Sequence, residues 1–258
     1  MGVIHTDKWL KEHLDNPLQL CGRFKKLFSE TSEQRVYQYL VRNGMYRYSK
    51  RSRVDFQELQ EKRVWEKISA HFSSYRKKWK GPDIPVFIFP HGSTGGLDGG
   101  KNRKSGLAFK DKIFLFYAPG LRDKELEAVF VHEYHHVCRL HAMKKDMQDY
   151  SLADSIVLEG LAEQAVEQNV GPDFLADWTK LYSPRETLGL GKKYIAKNLS
   201  VKKTEPLHDR LLYGGGRVPK MLGYCTGYMA VLKYTREKGL EQEDTFTHSS
   251  AELLSGFF

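Results

Sequence analysis

The segment Val129-Phe130-Val131-His132-Glu133-Tyr134-His135-His136-Val137 constrains this chain of 258 residues more than any other. It reads HExxH inside a helical run opened by Asp123, with Glu125 and Glu127 in the first turns where acidic side chains suit the helix dipole. Residues four apart share one helix face, so His132 and His136 can aim two imidazoles at one metal ion. Glu133 is turned by about 100° from His132 and faces the open side of such a metal, where it can take a proton from water. The apolar neighbours matter as much as the pattern, because polar side chains buried among valines and Phe130 are costly without partners. His135 points to another part of the helix and reads as a packing or hydrogen-bonding residue. Cys138 reads as a small buried apolar one.

Two imidazoles do not complete a metal site, and spacing tests the sources of a third ligand. A metzincin extension needs glycine three and histidine six residues after the second motif histidine, and these positions hold Arg139 and Ala142. The other common solution is a glutamate on a second helix some twenty residues on. Glu159 lies 23 residues after His136, in the stretch DSIVLEGLAEQAVEQ. Glu163 falls one turn later on the same face, where its carboxylate can receive a ligand histidine's N–H and hold the tautomer. Gly160 is expected to let this helix pack closely against the first. Ser151 and Asp154 have capping-box spacing, and Gly171-Pro172 stops the run.

Between the N-terminal third and these helices the hydrophobic period changes to that of strands. Val86-Phe87-Ile88-Phe89 reads as a short buried strand ending at Pro90. A glycine-rich stretch from Gly92 to Gly106 lacks the Gly-Lys-Ser/Thr ending of a phosphate-binding loop and reads as a flexible loop. Leu107 to Phe109, the polar turn Lys110-Asp111-Lys112, and Ile113 to Tyr117 make a hairpin pattern. Downstream, Gly223-Tyr224 and Gly227-Tyr228 open an apolar helix after the Gly214-Gly215-Gly216 loop. Hydrolysis of an amide at a metal creates an oxyanion, and a phenol aimed at it lowers the barrier. Tyr224 and Tyr228 are candidate donors, with two core tyrosines as the competing reading and His208 as a weaker alternative.

Charge is distributed unevenly. Residues 1–80 hold 18 Lys and Arg against 9 Asp and Glu, and so carry the whole net charge of +9. Residues 121–180, with 6 basic against 12 acidic side chains, are locally negative. Residues 1–80 read as helices. Val64, Trp65, Ile68, Phe72 and Tyr75 recur at helical spacing as a docking stripe, with Lys and Arg on the other face. Basic and acidic residues alternate there and no nucleic-acid motif accompanies them, so the expectation is a solvated helical surface rather than a nucleic-acid contact. Gly81-Pro82-Asp83 is the expected domain boundary, giving a basic helical region 1–80 and a catalytic domain 81–258 built from a small β part, 81–120, and a helical part, 121–258. The 14 Tyr, 14 Phe and 4 Trp imply a substantial core and exclude low-complexity disorder. The longest apolar run, Ile113 to Ala118, is too short to span a membrane. Three widely spaced cysteines and an N-terminus without the apolar core of a signal peptide suit a reduced, cytoplasmic protein.

The HEYHH segment, DSIVLEGLAE, the strand pair LAFKDKIFLFY and the GYCTGY stretch together resemble the YjaZ-like family of predicted zinc-dependent proteases, grouped with the gluzincins. The resemblance covers roughly residues 60–240. It implies an α+β, zincin-like fold: a small mixed sheet whose edge strand lines the cleft, an HExxH helix beneath it and a glutamate-ligand helix, preceded by N-terminal helices. It implies one zinc ion per chain held by His132, His136 and Glu159, with Glu133 as base and Glu163 as supporting carboxylate. The GYCTGY stretch is also similar to one in the thimet-type oligopeptidases, where tyrosines assist the reaction. The expected activity is peptide hydrolysis, with Gly106, Leu107, Ala108 and Phe109 holding a peptide or protein substrate as an added strand. Two readings from other classes stand beside it: a regulatory protein that keeps the site for metal or peptide capture, and a nucleic-acid contact through residues 1–80. Substrate identity and oligomeric state are open at this point.

Overall fold

The computed structural model describes residues 1–28, 32–92 and 103–258; most of the glycine-rich stretch expected to be a loop, residues 93–102, lies outside them. The chain divides into two compact units, Met1–Val137 and Cys138–Phe258. Gly81-Pro82-Asp83, where the sequence suggests a boundary, follows the fifth helix and leads into a strand inside the first unit.

The first unit opens on β1 (Gly2–Val3), followed by α1 (Thr6–His13), α2 (Pro17–Gly22), α3 (Glu33–Arg42), α4 (Lys50–Glu61) and α5 (Val64–Trp79). It continues with β2 (Pro85–Pro90), β3 (Lys104–Ala108), β4 (Ile113–Tyr117) and most of α6 (Asp123–Ala142). The strands form one mixed sheet in the order β1-β2-β4-β3. β1 and β4 run parallel to β2, and β3 runs antiparallel to β4, with Gly106 opposite Leu115. Every residue of β2 and β4 is buried, as their unbroken apolar runs require of strands covered on both faces. β3 is only half-buried along its length, in keeping with its place at the sheet edge.

The residues 1–80 are not an appendage to this sheet. β1 pairs with β2, and Phe24 sits edge-on to Phe87, Phe89 and Phe114 at ring distances of 5.0, 5.7 and 5.4 Å. The expected stripe on α5 is buried throughout, and docks on α6 through Phe72 against Tyr134 (5.4 Å) and Trp79 stacked on Tyr134 (6.0 Å).

The second unit holds the last residues of α6, then α7 (Leu152–Asn169), α8 (Pro184–Tyr194), α9 (Pro206–Tyr213), α10 (Leu222–Lys238) and α11 (Ser250–Leu253). Ser151 caps α7 with the expected Ser151–Asp154 box. Leu152, Ile156, Val157 and Leu161 of α7 share a core with Leu211, Leu222, Val231 and Leu253. Arg139, where a metzincin would need glycine, is buried and donates to the carbonyls of Thr245 (2.6 Å) and His248 (3.0 Å), tying α6 to the C-terminal segment. No helix among the described residues is long and apolar enough to cross a membrane.

Candidate metal centre

α6 carries the HExxH residues in its middle turns. His132 and His136 sit one turn apart with ring centroids 4.6 Å apart, an edge-on pair facing the same way. His136 and Glu133 are buried and His132 is half-buried. The surrounding turns are anchored by the apolar face: Phe130, Val131, Tyr134 and Val137 have no exposed surface. Tyr134 also donates its hydroxyl to the Pro82 carbonyl at 3.1 Å. His135 is fully buried edge-on to Trp79 at 5.9 Å, the packing role its position on the helix suggests. Cys138 is buried and outside any disulfide, as are Cys21 and Cys225.

Glu133 lies directly against the edge strand. A Cβ placed on Gly106 would come 2.6 Å from Glu133 Oε1, well inside contact distance, so only glycine lets β3 run this close to the carboxylate. Burial, with the charge of Glu133 adding to it, pushes the Tyr117 hydroxyl far above its ordinary pKa. Gly106, Leu107 and Ala108 lie in β3, while Phe109 follows the strand and packs against Phe28 at 5.5 Å.

In the second unit, Glu159 and Glu163 lie on successive turns of α7. Glu163 is buried, and its carboxylate accepts the Ala176 backbone N–H. The Tyr224 ring of α10 packs against Trp178 (5.2 Å) and Tyr213 (5.6 Å), near enough to Glu159 to feel its charge. Burial, Glu159 and Tyr213 all push the Tyr224 pKa up, so it stays a neutral phenol able to donate. Tyr228 is committed elsewhere: its hydroxyl donates to Glu167 Oε2 at 2.9 Å. His208 is buried and held between Ser155 Oγ and Asp209 Oδ1, at 2.9 Å from each, joining α9 to α7.

Two features escaped sequence reasoning. Gly160 was expected to face the HExxH helix, but its close approach is to α10: a Cβ there would lie 2.5 Å from the Gly227 carbonyl carbon. Gly227 in turn abuts the Ile156 carbonyl, so the two glycines form one helix crossing, one residue from Glu159 on α7 and three from Tyr224 on α10. Tyr213 was missed because it ends α9, and only the turn through Gly214, Gly215 and Gly216, all at positive φ, returns the chain toward α10.

Among the described residues, His132, His136 and Glu159 are a group that could hold a metal ion, with one donor atom from each all within 4.8 Å of one another. Two neutral imidazoles and a carboxylate are a donor set suited to Zn²⁺, leaving further coordination positions for water or substrate. The donor chemistry therefore fits zinc.

Comparison with known proteins agrees with this chemistry. The family model described as "Predicted Zn-dependent protease (DUF2268)" matches residues 64–255, which include α6 and α7. The uncharacterized protein YjaZ of Bacillus subtilis (strain 168) is 36% identical over 242 residues, 91% of each chain. No solved structure matches the chain. On the extent of these matches, the chain belongs to the YjaZ-like family of predicted zinc-dependent proteases.

Proposed function

We propose that the chain is a single-zinc metallopeptidase of the gluzincin type, with His132, His136 and Glu159 as ligands and Glu133 as general base. The observation that supports this best is the convergence of those three donors, with the Glu133 carboxylate against the edge strand one residue along α6. Bound zinc would polarise the scissile carbonyl and acidify water. The chain's own residues do the rest. β3 is the edge strand of the sheet among the described residues, and a peptide paired there is held extended by main-chain hydrogen bonds through Gly106, Leu107 and Ala108, with Phe109 at the end of the strand. Glu133 takes the proton of the attacking water and hands it to the departing amine. Glu163 holds its neighbourhood rigid through the Ala176 N–H. Tyr224, close enough to Glu159 to feel its charge, is better suited to donate to an oxyanion than Tyr228, whose hydroxyl already donates to Glu167.

Chelation tests the reading. The purified protein should cleave members of a mixed peptide set, lose that cleavage on treatment with a strong chelator, and recover it on addition of about one equivalent of zinc. Cleavage indifferent to chelator would contradict a metal-dependent mechanism.

A further inference from the structure

The family and the motif leave the basic N-terminal helices without a role, and the first unit offers one. A cavity of about 710 Å³ opens beside β3, lined by Ser105 and Gly106 on one side and by the turn from α3 to α4 on the other. That turn is fixed against the sheet: Tyr46 N–H donates to the Pro90 carbonyl (3.1 Å), Gly92 N–H to the Gly44 carbonyl (2.8 Å), and Ser105 Oγ to the Asn43 carbonyl (2.8 Å). It brings Arg42 and Arg47 to the cavity wall, both exposed. Neither guanidinium has a carboxylate partner among the described residues. The one carboxylate among the described residues of the wall, Asp55, is already paired with Arg51 at 2.6 Å, and His91, buried in the wall, is held toward its neutral form by desolvation. The cavity therefore offers two positive charges to whatever enters it.

We infer that this cavity is a substrate subsite, and that Arg42 and Arg47 select a peptide with an acidic side chain beside the scissile bond. The inference rests on the peptidase reading above and names its substrate class. Its geometry comes from strand alternation. Gly106 turns toward Glu133, whereas its neighbour Ser105 turns toward Asn43 and the arginines' turn. A peptide paired along β3 repeats that alternation. When one residue of the bound peptide turns its side chain to the Glu133 face, the adjacent residue sends its side chain to the Arg42 and Arg47 face. A carboxylate there meets two guanidiniums, the donor geometry that binds carboxylates through paired hydrogen bonds.

The full zinc-loaded chain and an Arg42→Glu/Arg47→Glu variant should be compared on a peptide library, with cleavage sites read by mass spectrometry. The expected result is enrichment of Asp or Glu at one position flanking the cleaved bond. The ratio of kcat/KM for a Glu peptide to that for its Lys counterpart should exceed about tenfold in the wild type and invert in the variant, since charge-assisted hydrogen bonds contribute about that much. The ratio is internal to each protein, so partial misfolding does not imitate the result. No acidic preference in the wild type, or a preference that survives charge reversal, overturns the subsite. If no peptide is cleaved at all, the peptidase reading fails separately, and fluorescence anisotropy with the Glu and Lys peptides decides: selective binding of the Glu peptide, lost in the variant, upholds the subsite, and equal binding overturns it.

Discussion

Glu133→Gln should cut peptide hydrolysis by about 10²- to 10⁴-fold, the range over which a positioned general base contributes, while leaving the bound zinc in place. The substitution is nearly isosteric, so the amide still fits beneath Gly106, where space is the tightest constraint on this side chain. The variant loses the ability to accept a proton from water and nothing else of consequence. The two imidazoles of the motif on the same helix are untouched, being on turns anchored by Phe130, Val131 and Val137. Steady-state kinetics beside metal analysis separates the two effects. Retained turnover in the variant would move the base to another residue, and loss of zinc together with turnover would make Glu133 a structural rather than a chemical residue.

The second large effect is expected far from any proton transfer. Gly227→Ala should destabilise the protein by about 2 kcal/mol or more, despite alanine's better helix propensity, which by itself contributes about 1 kcal/mol in the opposite direction. The added methyl would lie 2.6 Å from the Ile156 carbonyl carbon, and the obstacle is helix backbone, which cannot rotate aside as a side chain can. α7 and α10 must separate, and Tyr224, one turn before Gly227, moves with α10. Thermal unfolding should show Tm lower by several degrees, at about 2–4 °C per kcal/mol for a chain of this size. Gly189→Ala is the matched control. Nothing lies within 4 Å of its added methyl in α8, so that variant should hold or gain stability. Equal behaviour of the two variants would mean that the crossing is looser than the backbone contacts indicate.

Local chemistry was readable from the sequence wherever a few neighbouring residues decide the outcome. The HExxH helix needs only i and i+4 positions, the α7 cap only Ser151 and Asp154, and the β3–β4 hairpin only two apolar runs around a polar turn. What escaped depends on residues far apart in the chain. β1 is two residues long and pairs with a strand 83 positions later, so no periodicity marks it. The partner of Gly160 could not be named because a glycine reports that something approaches closely, not what. The charge of residues 1–80 was the most visible number in the composition and said least about its use. The structure puts Arg42 and Arg47 on the wall of a cavity beside β3 and the Phe24 ring on the sheet. A solvated basic surface and a substrate-selecting one have the same composition.

The central claim is that His132, His136 and Glu159 together hold one zinc ion, and metal analysis of purified variants tests it most directly. After identical dialysis, wild type and Glu133→Gln should each retain about one zinc per chain, whereas His136→Ala and Glu159→Ala, each short of one ligand, should lose most of theirs. Full zinc content in Glu159→Ala would contradict the account, because the helix that carries Glu159 would then have no part in the metal site.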